Sequence, residues 1–170
     1  MRRETELVLE GGLFAGLIGY FTIVLFFVVV NIVGGHSPFE TAALLGSALF
    51  FGLQDPSRLE ITPAAVLTFN MVHALVMLVI GFITSWLVTK SEQYPVSQYV
   101  VLVALVFVGF HLFGAVYFFA SPLMGSGAWL PIAVASIAAA IAMGGYLLWL
   151  HPALRQQLRQ VPMGEVPHTS

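Results

Sequence analysis

The chain contains no cysteine. Disulfides, thiolate metal sites, iron–sulfur clusters and cysteine nucleophiles are therefore excluded. Charge is also scarce: Asp, Glu, Lys and Arg make up 8% of the residues, against roughly 25% in a soluble domain. The net charge is -2 and the six basic residues are scattered, so no nucleic-acid partner is expected. No Ser-His-Asp set, HExxH, phosphate loop or GxSxG is present, and the chain is read as non-enzymatic. Gly125-Ser126-Gly127 places a serine between glycines without a strand–turn–helix context and reads as a loop.

What remains is apolar. Hydrophobic residues are 59% of the chain, gathered in four runs: Gly11–Gly34, Pro63–Thr89, Val96–Ala120 and Ala128–Leu150. Each is about 23–27 residues long, and a helix needs roughly 20 to cross a hydrocarbon core. The predicted fold is an all-α integral membrane protein, a four-transmembrane-helix bundle forming one domain over residues 1–161. The tail, 162–170, reads as disordered. The basic start Met1-Arg2-Arg3 precedes a run longer than a cleaved signal's apolar core, so the first run is taken as a retained helix.

Four spans put both termini on one side, with Arg2, Arg3, Lys90, Arg155 and Arg159; Arg58 stands alone on the other. The positive-inside rule then predicts cytoplasmic termini, in a bacterial inner membrane. The first outer loop is not featureless. Ser37-Pro38-Phe39-Glu40 reads as a capping box, with Ser37 as N-cap and Glu40 reaching back. The helix behind it, about 38–52, is too short to span and is placed at the outer interface as an additional interfacial helix. Thr62-Pro63 repeats the start signal, Asp55-Pro56-Ser57-Arg58 reads as a turn, and Leu154 and Leu158 suggest a short amphipathic helix after the last span.

Small residues mark packing faces, because close approach drives helix association in lipid. Gly12, Gly16 and Gly19 form one such face on the first span; Ser136, Ala140 and Gly144 form a row on the fourth. The two are antiparallel and overlap in depth, so a contact between them is expected.

The centres of the runs hold no Asp, Glu, Lys or Arg. A charge there costs roughly 2.5–3.5 kcal/mol and usually marks a transport path, so its absence argues against an ion-coupled transporter or proton pump. Two histidines remain. His73 lies ten residues after Pro63 and His111 ten before Ser121, so both sit about 15 Å from the outer end of their helices. A polar stripe of Asn70, His73, Met77, Gly81 and Thr84 runs down the second span. The first reading of the histidines is interhelical hydrogen bonding. The second is axial ligation of haem b or a chlorophyll-type pigment, with His73 and His111 as the cofactor-binding pair. A quinone or lipid-headgroup role is the third. His36, His151 and His168 lack a second ligand at metal spacing and read as solvated or interfacial.

The leading expectation for function is a non-catalytic membrane subunit that stabilises a larger complex, respiratory or photosynthetic, with lipids and other membrane subunits as partners. A small haem- or pigment-binding protein is the alternative. A channel or lipid-handling protein lined by Asn70 and Thr84 comes third.

Overall fold

The computed structural model describes residues 2–93, 114 and 129–160. Among these the secondary structure is entirely helical. Helix α1 spans Arg2–Val33, α2 spans Glu40–Phe51, α3 spans Pro63–Gln93, α4 spans Trp129–Leu150 and α5 spans Pro152–Gln160, with a 3-10 turn at Pro56–Arg58. Among the described residues, three segments are long and apolar enough to cross a membrane: Glu4–Val33, Pro63–Ser91 and Leu130–Leu150. They point to a membrane protein. The expected third span over 96–120, its flanking loops and the tail lie outside the described residues, Gly114 excepted.

The boundaries follow local chemistry. Thr62 caps α3, its Oγ1 accepting from the Ala65 amide at 3.3 Å, and Pro63 takes the first helical position, where a missing N–H costs nothing. Helix α1 ends at Gly35 (φ 77) and α2 at Gly52 (φ 71), both in the left-handed region that glycine enters without a Cβ clash. Helix α1 starts nine residues before the apolar run: a polar stretch with Glu4, Glu6 and Glu10 continues the same helix. The 3-10 turn is built as its residues suggest, with Asp55 Oδ1 accepting from the Ser57 amide (3.0 Å) and hydroxyl (2.8 Å).

The capping box does not form as expected. Helix α2 starts at Glu40, with Phe39 at the N-cap and no side-chain cap bond. Ser37 Oγ receives only a long contact from the Phe39 amide, 3.4 Å. Glu40 turns its carboxylate to His36 Nδ1 at 3.1 Å instead of reaching back to the Ser37 amide. An imidazole one turn away offers the carboxylate a partner that can carry charge.

The core joins Ala15 of α1, Met77 and Val88 of α3, Met143 and Leu147 of α4 and Leu154 of α5, and its closest seam runs between α1 and α3. A Cβ on Gly12 would strike the Phe82 ring and backbone; one on Gly16 would come 2.8 Å from Leu78 Cα. Gly81 faces back: its Cβ would meet the backbone of Gly12 and Gly16. Glu4–Lys90, Gly12–Phe82 and Gly16–Leu78 keep a single antiparallel register, pinned at the terminal end by the Lys90 Nζ–Glu4 Oε1 bond of 2.6 Å. Thus Gly12 and Gly16 pack on α3 rather than on the fourth apolar run.

Gly19 alone of the three faces α4, lying against the sulfur of Met143 as well as Met77 of α3. The buried face of α4 is Ile132, Ala135, Ala139, Met143 and Leu147. That face is one residue out of phase with the expected row. Ser136 is half-buried, Ala140 is exposed, and a Cβ on Gly144 would meet no described atom within 4 Å. One residue is about 100° of helix. Because neither row carries a charged or strongly polar side chain, polarity could not separate them.

Helix α5 is amphipathic, with Leu154 buried and Arg155 and Gln156 exposed. His151, at the α4–α5 junction, is buried rather than solvated, at 2% exposure. Its backbone continues the turn, donating to Leu147 and accepting from Arg155.

Candidate functional site

Helix α2 packs where α1 ends and α3 begins. Two devices hold it. Asn31, near the end of α1 and buried, accepts from the Thr41 hydroxyl at 2.9 Å and donates to the Pro38 carbonyl at 3.2 Å. Gly46 brings α2 against the Ala65 carbonyl so closely that a Cβ would not fit. Below α2 is a chamber of about 500 Å³, walled by α1, α2, α3 and α4. Its apolar lining includes Ile23, Phe27, Leu45, Phe69 and Ile132.

Some of the chamber's polar groups join α1 to α3. Tyr20 of α1 donates its hydroxyl to Asn70 Oδ1 at 3.0 Å, and Asn70 Nδ2 donates to the Val66 carbonyl one turn back at 2.8 Å. His73, one turn further along α3, also lines the chamber. Its imidazole stacks on Phe69 (centroids 5.6 Å, planes 15° apart) and meets Tyr20 at 5.7 Å and 44°. Nε2 is buried and has no hydrogen-bond partner among the described residues. Buried polar atoms are rarely left so, since an unmade bond costs about 1–3 kcal/mol. Ser136 of α4 also lines the chamber, its hydroxyl donating to the Ile132 carbonyl at 2.8 Å. None of the described lining residues is Asp, Glu, Lys or Arg.

The polar stripe of α3 is thus divided. Asn70 and His73 open onto the chamber. Met77 is buried, Gly81 is closed against α1, and Thr84 is buried with its hydroxyl bonded to the Ile80 carbonyl at 2.8 Å. Thr84 is not part of the chamber wall, and the stripe forms helix seam below His73.

His111 lies outside the described residues, so the matched pair is represented by His73 alone. The two propionates of a haem would find no cationic side chain among the described lining residues. Arg58 sits on the 3-10 turn, exposed, beside Asp55 at 3.8 Å. No group of three or more His, Asp or Glu side chains that could hold a metal occurs among the described residues.

Reading the sequence did not single out Tyr20, Asn31, Thr41 or Phe69 as parts of a site. The usable signal was Tyr20, Phe27 and Asn31, which recur at helical spacing along a run otherwise without strongly polar groups. No protein-family model, curated protein or solved structure matches the chain.

Proposed function

We propose that this chain is a non-catalytic polytopic membrane protein that holds a hydrophobic molecule in the chamber beneath α2. The chamber carries the reading. Pockets for small molecules are mostly apolar, run roughly 300–1,000 Å³ and place a few polar groups where they orient the ligand. Here the cavity is about 500 Å³, and its mostly apolar wall carries a few polar side chains, Tyr20, Asn31, Thr41, Asn70, His73 and Ser136. In the proposed arrangement the chain crosses a bacterial inner membrane four times. Residues 96–120 supply the remaining span, the termini are cytoplasmic, and α2 rests on the outer side. The distribution of Arg and Lys supports that orientation.

The same chain suits a subunit of a larger membrane complex. Phe39 and Leu49 remain about half exposed while lining the chamber, and Phe51 is exposed beside them. A neighbouring protein covering this rim would close the chamber.

Purification in mild detergent, followed by solvent extraction and mass spectrometry, tests the reading. One hydrophobic compound near one per chain is expected, reduced by Ser136→Leu, which fills the wall. Extraction of membrane lipids only, in bulk proportions and unchanged by Ser136→Leu, would sink it. A stoichiometric co-purifying protein would identify the complex.

A further inference from the structure

We infer that the chamber takes one acyl chain of a membrane glycerolipid, drawn sideways from the leaflet on the α2 side, with the headgroup left at the level of α2. The inference rests on the ligand-holding reading above and names the ligand class.

The chamber has the length for it. Its wall on α1 runs from Asn31, where α2 is fastened, to Tyr20. Those positions are eleven residues apart, about 16 Å along a helix at roughly 1.5 Å per residue. One leaflet of hydrocarbon is half of a roughly 30 Å core, about 15 Å. An extended chain hanging from the α2 level therefore fills the chamber from end to end without leaving its own leaflet. A short, compact ligand would leave one end empty, and the wall there would lose its contacts.

The polar side chains of the wall are already engaged. Tyr20 donates to Asn70, Asn70 to the Val66 carbonyl, Thr41 to Asn31, Asn31 to the Pro38 carbonyl and Ser136 to the Ile132 carbonyl. His73 is stacked on Phe69, with Nε2 buried away from water. A methylene chain thus meets a wall whose hydrogen bonds are made within the protein. Since lipid tails are as apolar as the wall, retention comes from close packing against Ile23, Phe27, Leu45 and Ile132 rather than from leaving water.

The rim opens onto the apolar surface of the bundle. Leu49 of α2 and Leu67 of α3 line the chamber yet stay 47% and 61% exposed. Leu67 is also the first of an exposed row at four-residue spacing, Leu67, Met71 and Leu75. On a helix long enough to span, such a row is covered by lipid chains. A chain already lying there reaches the chamber by moving past Leu67. Its polar headgroup need not follow, so no charge has to be desolvated.

The test uses the full chain reconstituted in vesicles of phosphatidylethanolamine and phosphatidylglycerol. These contain a phosphatidylethanolamine probe with a photoreactive diazirine on one acyl chain, placed beside the carbonyl or at the chain end. Labelled residues are mapped by mass spectrometry. The carbonyl-side probe is expected on buried Leu45 and Ile132, and the chain-end probe on Tyr20 and Ile23. Ser136→Leu should lower labelling at all four severalfold while Met71 and Leu75 label as before, which separates a filled chamber from misfolding. The depth order is read on the unsubstituted chain and does not depend on that variant. Labelling confined to the exposed row, or chamber labelling without the depth order, overturns the acyl-chain assignment. A different compound then found at one per chain in the detergent extract leaves the ligand-holding reading standing. An extract with no specific compound overturns both.

Discussion

Gly16 and Gly81 meet backbone to backbone where α1 crosses α3: a Cβ on Gly81 would fall 2.7 Å from Gly16 Cα and 2.5 Å from its amide nitrogen. Neither neighbour can move aside, because both atoms belong to a helix. Gly81→Ala should therefore destabilise the protein by about 1–3 kcal/mol, the usual cost of overpacking. Gly144→Ala, where an added Cβ meets no described atom, should be neutral or stabilising by up to about 1 kcal/mol through helix propensity. Denaturation in mixed micelles compares the two; equal effects would contradict the seam.

Asn31 fastens α2 through two hydrogen bonds. Asn31→Ala should cost about 0.6–2 kcal/mol and act locally. Hydrogen exchange across 40–51 should accelerate while the α1–α3 seam keeps its protection. Uniform loss of protection would mean that Asn31 supports the whole bundle instead.

The Lys90–Glu4 pair is 40% and 31% exposed, so water and salt screen it. Lys90→Ala should cost only about 0.2–1 kcal/mol, less at high ionic strength. The exchange Glu4→Lys with Lys90→Glu should recover most of it. A double-mutant cycle in detergent measures the coupling, and zero coupling at low salt would contradict a structural role.

Asp55 is held below the ordinary carboxylate range by the hydroxyl and amide of Ser57. The sign follows from the depressed value. The bond stabilises the Pro56–Arg58 turn at neutral pH, and the contribution is lost as pH falls below the ordinary carboxylate value of about 3.9 toward the folded one. Ser57→Ala should raise the Asp55 pKa toward its ordinary value. Carboxyl carbon NMR titration reads it directly, and an unchanged midpoint would assign the shift to something other than Ser57.

Punctuation made most helix boundaries legible in the sequence. Pro63 behind Thr62, Gly34-Gly35 and Gly52 mark ends because their backbone requirements are local. Helix rotation was less legible. In a soluble helix, polar residues label the outward face; in α4, Ala135, Ser136, Ala139, Ala140, Met143 and Gly144 offer little contrast, so the expected row missed the buried one by a single position. The depth of His73 could be counted from Pro63. Its surroundings could not, because Tyr20 reaches it from α1, and the clamp on α2 depends on Asn31 pairing with Thr41 across a turn. Such contacts are set by tertiary geometry, which no single-helix pattern encodes.

The α1–α3 seam is written entirely within residues 4–90. Its glycine contacts and its Glu4–Lys90 tie need nothing from α4. A nascent chain stalled after α3 has entered the membrane should already form a disulfide between Glu4→Cys and Lys90→Cys; a crosslink seen only in the finished protein would argue otherwise. The order of synthesis then becomes an order of assembly, in which the first two apolar segments to emerge make a finished hairpin and the last meets a surface already shaped to receive Met143 beside Gly19.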